Sequence, residues 1–147
     1  MAELLDLKEG QNVLEIGTGC GYSAAITLEL ISTEGMLTSI ERIPELHYIA
    51  DENLKSHFRN KKVRYKLIIG DGSGGYLPNA PYDRIYFTAE VDTLKMCIDY
   101  IASQLKPEGL ILFPSNKGQL TLQNYIDNKL VEELYHGNVT FVPLVIG

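Results

Sequence analysis

At 147 residues, with 45% hydrophobic and 22% charged residues, the chain has the size and composition of one globular domain with a sizeable core. The net charge of −6 argues against a surface built to coat nucleic acid, and the longest apolar runs, such as Leu110 to Phe113, are far too short to cross a bilayer. Cys20 and Cys97 lack disulfide-framework or zinc spacing, and no signal-peptide pattern opens the chain, so a cytoplasmic setting without a membrane or nucleic-acid partner is expected.

In chain order, a turn at Glu9-Gly10 leads into a first strand, Asn12 to Ile16. Tyr22 to Ile31 is helical, with Ala24, Ala25, Leu28 and Ile31 on or near one face, and Gly35 closes that region. Met36 to Ile40 is a second strand. Pro44 suits a helix's first turn, and Leu46, Ile49, Ala50 and Leu54 give that helix its apolar stripe. Val63 to Ile69 is a third strand, stopped by Gly70-Asp71-Gly72. Tyr82 to Thr88 is a fourth, and its nearly continuous apolar centre suits a strand covered on both faces. Thr93 to Leu105 carries helical spacing, Lys106-Pro107-Glu108-Gly109 reads as a turn, and Leu110 to Phe113 as a fifth strand. Gln119 to Ile126, Leu130 to Tyr135 and Thr140 to Ile146 then read as further strands, with turns at Asp127-Asn128 and Gly137-Asn138. The expected fold is α/β: a single domain over 1–147 with a Rossmann-like, doubly wound, mostly parallel sheet and an antiparallel C-terminal edge hairpin.

Several features read as structural. The basic cluster Arg59, Lys61, Lys62, Arg64 and Lys66 suits a solvated turn entering a strand. Cys97 reads as a small core residue. Tyr48, Tyr65, Tyr100, Tyr125 and Tyr135 read as packing or surface residues. His47, His57 and His136 show no metal-ligand spacing, so no metal is expected.

The chemistry lies in the run Glu15-Ile-Gly17-Thr18-Gly19-Cys-Gly21 between the first strand and its helix. Glycines let a backbone approach a ligand, and a helix N-terminus offers unpaired N–H groups. A dinucleotide fingerprint places its last glycine where Tyr22 stands, and here that glycine comes one residue early. The shift points away from a nicotinamide dinucleotide and towards S-adenosylmethionine, which has no pyrophosphate to hold. Glu41, with Arg42 beside it, ends the second strand, where a carboxylate accepts bonds from ribose hydroxyls. Asp71, beside Gly72 and past the third strand, is placed to accept from an adenine amino group. Glu15 either orients the loop or meets the methionine ammonium. All stand at the C-terminal ends of successive strands, where open α/β sheets bind ligands.

The chain resembles the protein-L-isoaspartate O-methyltransferase family. The resemblance is carried by Val13 to Tyr22 (VLEIGTGCGY), Ser39 to Leu46 (SIERIPEL), Gly70 to Tyr76 (GDGSGGY), Ala80 to Ile85 (APYDRI), Leu105 to Gly109 (LKPEG) and Phe141 to Leu144 (FVPL). It implies methyl transfer from S-adenosylmethionine to the α-carboxyl of an isoaspartyl residue in damaged protein, with S-adenosylhomocysteine as product. The ester then collapses to a succinimide, which yields some normal aspartate on hydrolysis. The resemblance also implies that Thr88 and Ala89 face the transferred methyl, and that Phe141 to Val145, including Val142, Pro143 and Leu144, borders the peptide cleft. The family's catalytic hydroxyl belongs to a region preceding the part matched here, so no residue of this sequence is assigned that role. Glu90 stands where the family usually has a small residue, and a carboxylate there would disfavour an anionic acceptor. Two other readings stay open: a methyltransferase of a small molecule or RNA, and a cofactor-binding module without catalysis.

Overall fold

The computed structural model describes residues 1–91, 95–115, 118–135 and 139–144. Its elements are α1 (Ala2–Leu5), β1 (Asn12–Ile16), α2 (Tyr22–Ile31), β2 (Met36–Glu41), α3 (Pro44–His57), β3 (Tyr65–Ile69), β4 (Tyr82–Phe87), α4 (Lys95–Ala102), β5 (Leu105–Ser115), β6 (Gln119–Ile126) and β7 (Lys129–Tyr135). Two single turns of 3₁₀ helix, Gly72–Gly74 and Leu77–Asn79, link β3 to β4.

The strands form one seven-stranded sheet in the order β3-β2-β1-β4-β5-β6-β7. Pairings from β3 through β5 are parallel, whereas β5–β6 and β6–β7 are antiparallel. The expected doubly wound sheet with an antiparallel end is therefore what forms. Strands placed after β1 run outward to one side as far as β3, and the chain then crosses to lay β4 on β1's other side. That reversal opens a crevice beyond the strand C-termini, which is where such sheets bind ligands.

Period-two alternation divides the core. Leu14, Ile16, Ile85, Phe87 and Ile111 pack on the face covered by α4 residues Ile98, Ile101 and Ala102. Val13, Tyr86 and Leu112 point to the other face, against Leu5 of α1, Ala24, Leu28 and Ile31 of α2, and Leu54 of α3. Both faces of β1 and β4 are thus covered, which explains the apolar residues on both faces at Val13-Leu14 and Ile85 to Phe87.

The boundaries differ from expectation where side chains or tertiary bonds override local pattern. Helix α4 ends at Ala102, and Leu105 instead opens β5, pairing with Tyr82. Between them the Gln104 side chain is drawn inward: its Oε1 accepts from the Tyr76 N–H at 2.9 Å and its Nε2 donates to Gly74 O at 2.8 Å. The anticipated turn at 106–109 is a bulge within β5. Register jumps there from Tyr82↔Leu105 to Arg84↔Leu110, and Glu108 takes the left-handed region at φ 64°. Strand β3 starts at Tyr65, later than Val63, and β7 starts at Lys129. The hairpin turn falls at Asp127 and Asn128, whose φ values of 50° and 60° suit a two-residue turn of the primed type.

Of the expected last strand, Thr140 to Ile146, the described part, residues 140–144, does not form a strand. Among the described residues of this segment only Pro143 makes a bridge, to Glu90, and Pro143 has no N–H with which to extend a ladder. Residues 145–147, the proposed turn at Gly137-Asn138 and the start of the helix at Thr93 lie outside the described residues, as do the side chains of Cys97 and Tyr135. Among the described residues no helix is long and apolar enough to cross a membrane.

Candidate functional site

Strand β1 delivers the glycine loop into the crevice, and two backbone bonds tie it to β2: Gly17 N–H and Thr18 N–H both donate to Ile40 O, at 2.9 and 3.2 Å. Gly17 (φ 98°) passes so close to β4's end that a Cβ would collide with Thr88 Oγ1. Thr88 Oγ1 in turn donates to Gly17 O, and lies 3.3 Å from Ile16 O. Gly21 (φ 87°) begins α2 against Ala50 of α3, where an added Cβ would lie 3.3 Å from the Ala50 Cα. These two glycines are demanded by geometry: each combines a left-handed backbone with a close neighbour.

Glu41, 7% exposed at the end of β2, braces the loop from the side. One carboxylate oxygen accepts from Gly19 N–H at 2.8 Å and the other from Ile43 N–H at 2.9 Å. Each oxygen keeps a further lone pair for a ligand hydroxyl.

Glu15 lies beneath the loop and is fully buried. Tyr86 OH donates to its Oε1 at 2.9 Å, and Ser39 Oγ contacts its Oε2 at 2.5 Å. The chain of hydroxyls continues to Thr27, 2.8 Å from Tyr86 OH, and to Thr18, 2.5 Å from Ser39 Oγ. Burial pushes the Glu15 carboxyl up to about 8; the Ser39 and Tyr86 hydrogen bonds oppose this, and the nearby Glu41 charge adds to it. Burial likewise holds the Tyr86 phenol well above its ordinary value, and the Glu15 charge adds to that shift.

These elements enclose a cavity of about 400 Å³. Gly17, Thr18 and Gly19 form its floor, Glu41 and Arg42 one side with Ile43 and Leu46, and Gly70 and Gly72 another; Thr88, Ala89 and Phe141 to Leu144 complete it. Tyr22 and Ser23 bring the start of α2 to the wall, and that helix has no side-chain cap on its first N–H groups. Volume and lining suit a small organic ligand with polar ends.

Most residues singled out from sequence therefore meet in one place. Three do not line the cavity. Glu15 is sealed below it, and Gly21 is buried behind it. Asp71 is exposed at its rim, between two lining glycines, and accepts from Ser73 N–H at 2.9 Å. Glu90 is not in the wall either. Its backbone acts instead: its N–H donates to Val142 O and its C=O accepts from Leu144 N–H, both at 2.8 Å, fixing 142–144 beside the cavity. Sequence reasoning missed Cys20, Tyr22, Ile43, Leu46 and Ser39. Polar Ser39 and Tyr86 within apolar strands were the available signal of the buried network.

The remaining features lie apart. The basic cluster is exposed, with Lys61 paired to Glu29 and Lys66 Nζ donating to Tyr76 OH at 2.8 Å. Tyr48, Tyr65, Tyr100 and Tyr125 do not line the cavity. Among the described residues no cluster of three or more potential metal ligands occurs.

Sheet order, switch point and glycine loop together define the Rossmann-like methyltransferase fold. A solved protein-L-isoaspartate O-methyltransferase shares it with a TM-score of 0.84 at 28% identity, over 97% of this chain and 44% of its own. The chain belongs to the protein-L-isoaspartate(D-aspartate) O-methyltransferase family, whose model matches residues 1–147. It is 46% identical to protein-L-isoaspartate O-methyltransferase 1 of Archaeoglobus fulgidus over 98% of this chain and 64% of that protein. It is also 46% identical to the protein-L-isoaspartate O-methyltransferase of Methanococcus vannielii over 99% of this chain and 67% of that protein. The chain thus spans about two thirds of the length of these relatives.

Proposed function

We propose that this chain is a single S-adenosylmethionine-binding domain, over 1–147, of a methyltransferase that acts on isoaspartyl carboxyls of damaged proteins. The observation that carries the reading is Glu41: a nearly buried carboxylate that holds Gly19 and Ile43 with spare lone pairs, in the wall of the cavity at the sheet's switch point. Membership of the isoaspartyl methyltransferase family supports the acceptor and the repair role.

The residues fit this cofactor. The spare lone pairs of Glu41 accept from the ribose hydroxyls, and Arg42 borders them. Ile43 and Leu46 offer apolar surface to the adenine, with Asp71 reaching its amino group from the rim beside Gly72. The N-terminus of α2 and Thr18 meet the carboxylate of the amino-acid tail. Of the two roles open to Glu15, orienting the loop agrees with its burial and its internal hydrogen bonds. Thr88, Ala89, Val142, Pro143 and Leu144 form the methyl-facing side.

The cofactor supplies an electrophilic sulfonium methyl. An isoaspartyl carboxylate is ionised and nucleophilic at neutral pH, so the protein's task is in-line positioning and no strong base is required. Released S-adenosylhomocysteine is the expected product. A cytoplasmic setting, with a damaged protein as partner, belongs to the same proposal.

The test is incorporation of labelled methyl from S-adenosylmethionine into a peptide containing isoaspartate but not into its aspartyl twin, as a base-labile ester. Turnover only on RNA or small molecules would replace the acceptor assignment. Binding of S-adenosylhomocysteine with no methyl transfer to any acceptor would leave a cofactor-binding module.

A further inference from the structure

Among the described residues, one buried carboxyl is not used by the proposed reaction. Glu15 is fully buried, and both of its oxygens meet hydroxyls, groups that can either donate or accept. Tyr86 of β4 and Glu41 of β2 are the titratable groups that act on it, and α2 adds only the Thr27 hydroxyl beyond Tyr86. From its Oε2 the contacts run through Ser39 Oγ to Thr18 Oγ1, each step 2.5 Å, and Thr18 belongs to the cavity wall. A hydroxyl chain of this kind has two internally consistent arrangements. With Glu15 ionised, Ser39 donates to it and Thr18 donates to Ser39, so Thr18 shows the cavity only lone pairs. With Glu15 protonated, its O–H donates to Ser39, Ser39 donates to Thr18, and the Thr18 proton is left for the cavity.

We propose that the Glu15–Ser39–Thr18 relay is a proton gate that decides whether Thr18 donates or accepts towards the cofactor's amino-acid tail. This rests on the cofactor assignment above and goes beyond it. The protonated arrangement is the binding form, because the neighbouring backbone donors are already committed. Gly17 and Thr18 N–H bond Ile40 O, and Gly19 N–H bonds Glu41. The Thr18 O–H then joins the N-terminus of α2 in holding the tail's carboxylate. Glu15 is in this sense a positioning residue. Its burial, which keeps the carboxyl protonated at neutral pH, supports the assignment.

Titration calorimetry of S-adenosylhomocysteine with the whole protein, at pH values from 7 to 9, tests it. The expected result is an affinity that falls about tenfold towards alkaline pH, with proton uptake on binding above the Glu15 transition. Methylthioadenosine, which lacks the amino-acid tail, should bind without that dependence. Glu15→Gln, whose amide donates to Ser39 as the protonated acid does, should keep the neutral-pH affinity throughout. Thr18→Val should bind more weakly and without the Glu15-dependent step, even if Glu15→Gln fails to fold. The same alkaline fall in Glu15→Gln or Thr18→Val as in the parent would assign the proton to the ligand's ammonium and overturn the gate. So would a pH-independent parent. Absence of S-adenosylhomocysteine binding at every pH would overturn the cofactor assignment as well, whereas binding without a Glu15-dependent slope overturns the gate alone.

Discussion

Glu41 and Gly19, on separate βα units, are joined by a 2.8 Å bond from the Gly19 N–H to the Glu41 carboxylate, so the acid proposed to hold the ribose also holds the loop. Removing it therefore does two kinds of damage. Glu41→Ala should weaken S-adenosylhomocysteine binding by about tenfold to a hundredfold, the range for losing bonds to a charged group. Calorimetry gives the affinity, and amide exchange at Gly19 and Ile43 should quicken in the free variant.

Gly21→Ala should destabilise the protein by more than about 1 kcal/mol, since the site combines φ 87° with a neighbour at 3.3 Å in Ala50. Denaturant unfolding measures this. Gly19→Ala makes a useful comparison: its φ of 56° carries strain, but nothing stands within 4 Å of its added Cβ. Its loss should be the smaller of the two.

Stability should fall as pH rises through Glu15's transition. The carboxyl is raised to about 8 in the fold, from an ordinary glutamate value of 4.5, so the folded protein binds more protons than the unfolded chain between these values. That contribution is complete below the unfolded value and is lost as pH climbs towards 8, with a slope of up to about 1.4 kcal/mol per pH unit. Glu15→Gln should flatten the slope in urea unfolding across pH 5 to 8. An unchanged slope would place the titrating group elsewhere.

Cys20 is exposed and lines the cavity. A maleimide should label it readily in the free protein and several-fold more slowly with saturating S-adenosylhomocysteine, as read by mass mapping of the Cys20 peptide. Equal rates would move the ligand away from the loop.

Arg84 donates through Nε to Leu5 O at 2.6 Å, and its Nη1 donates to its neighbour's carbonyl, Asp83 O, at 2.8 Å. Arg84→Ala should release the last turn of α1 and cost about 1–3 kcal/mol. Earlier cleavage of residues 1–10 in limited proteolysis would show it.

The parallel half of the fold was legible because its signals are local. Asn12 to Ile16 and Tyr22 to Ile31 are bounded by glycines and carry clean apolar patterns, and both elements form as read. Gln119 to Ile126 was equally clear. Leu105 reads as helical because its spacing continues that of Ile98 and Ile101, yet pairing with Tyr82 outweighs one more helical turn. Thr140 to Ile146 has strand composition, but among its described residues, 140–144, the only bridge is to Glu90, and no local pattern encodes that. Within the site, Glu41 stood out because strand ends bind ligands. Ser39 was hidden, because its role exists only once Glu15 and Thr18 are brought to either side of it.

The backbone clasp between Glu90 and residues 142–144 has an evolutionary consequence. Main-chain bonds depend little on side-chain identity, so the positions of Val142 and Leu144 are set independently of what they carry. Substitutions along this stretch can re-line the proposed acceptor side of the cavity without displacing it. Related proteins could therefore diverge in the substrates they admit while their cofactor geometry stays unchanged.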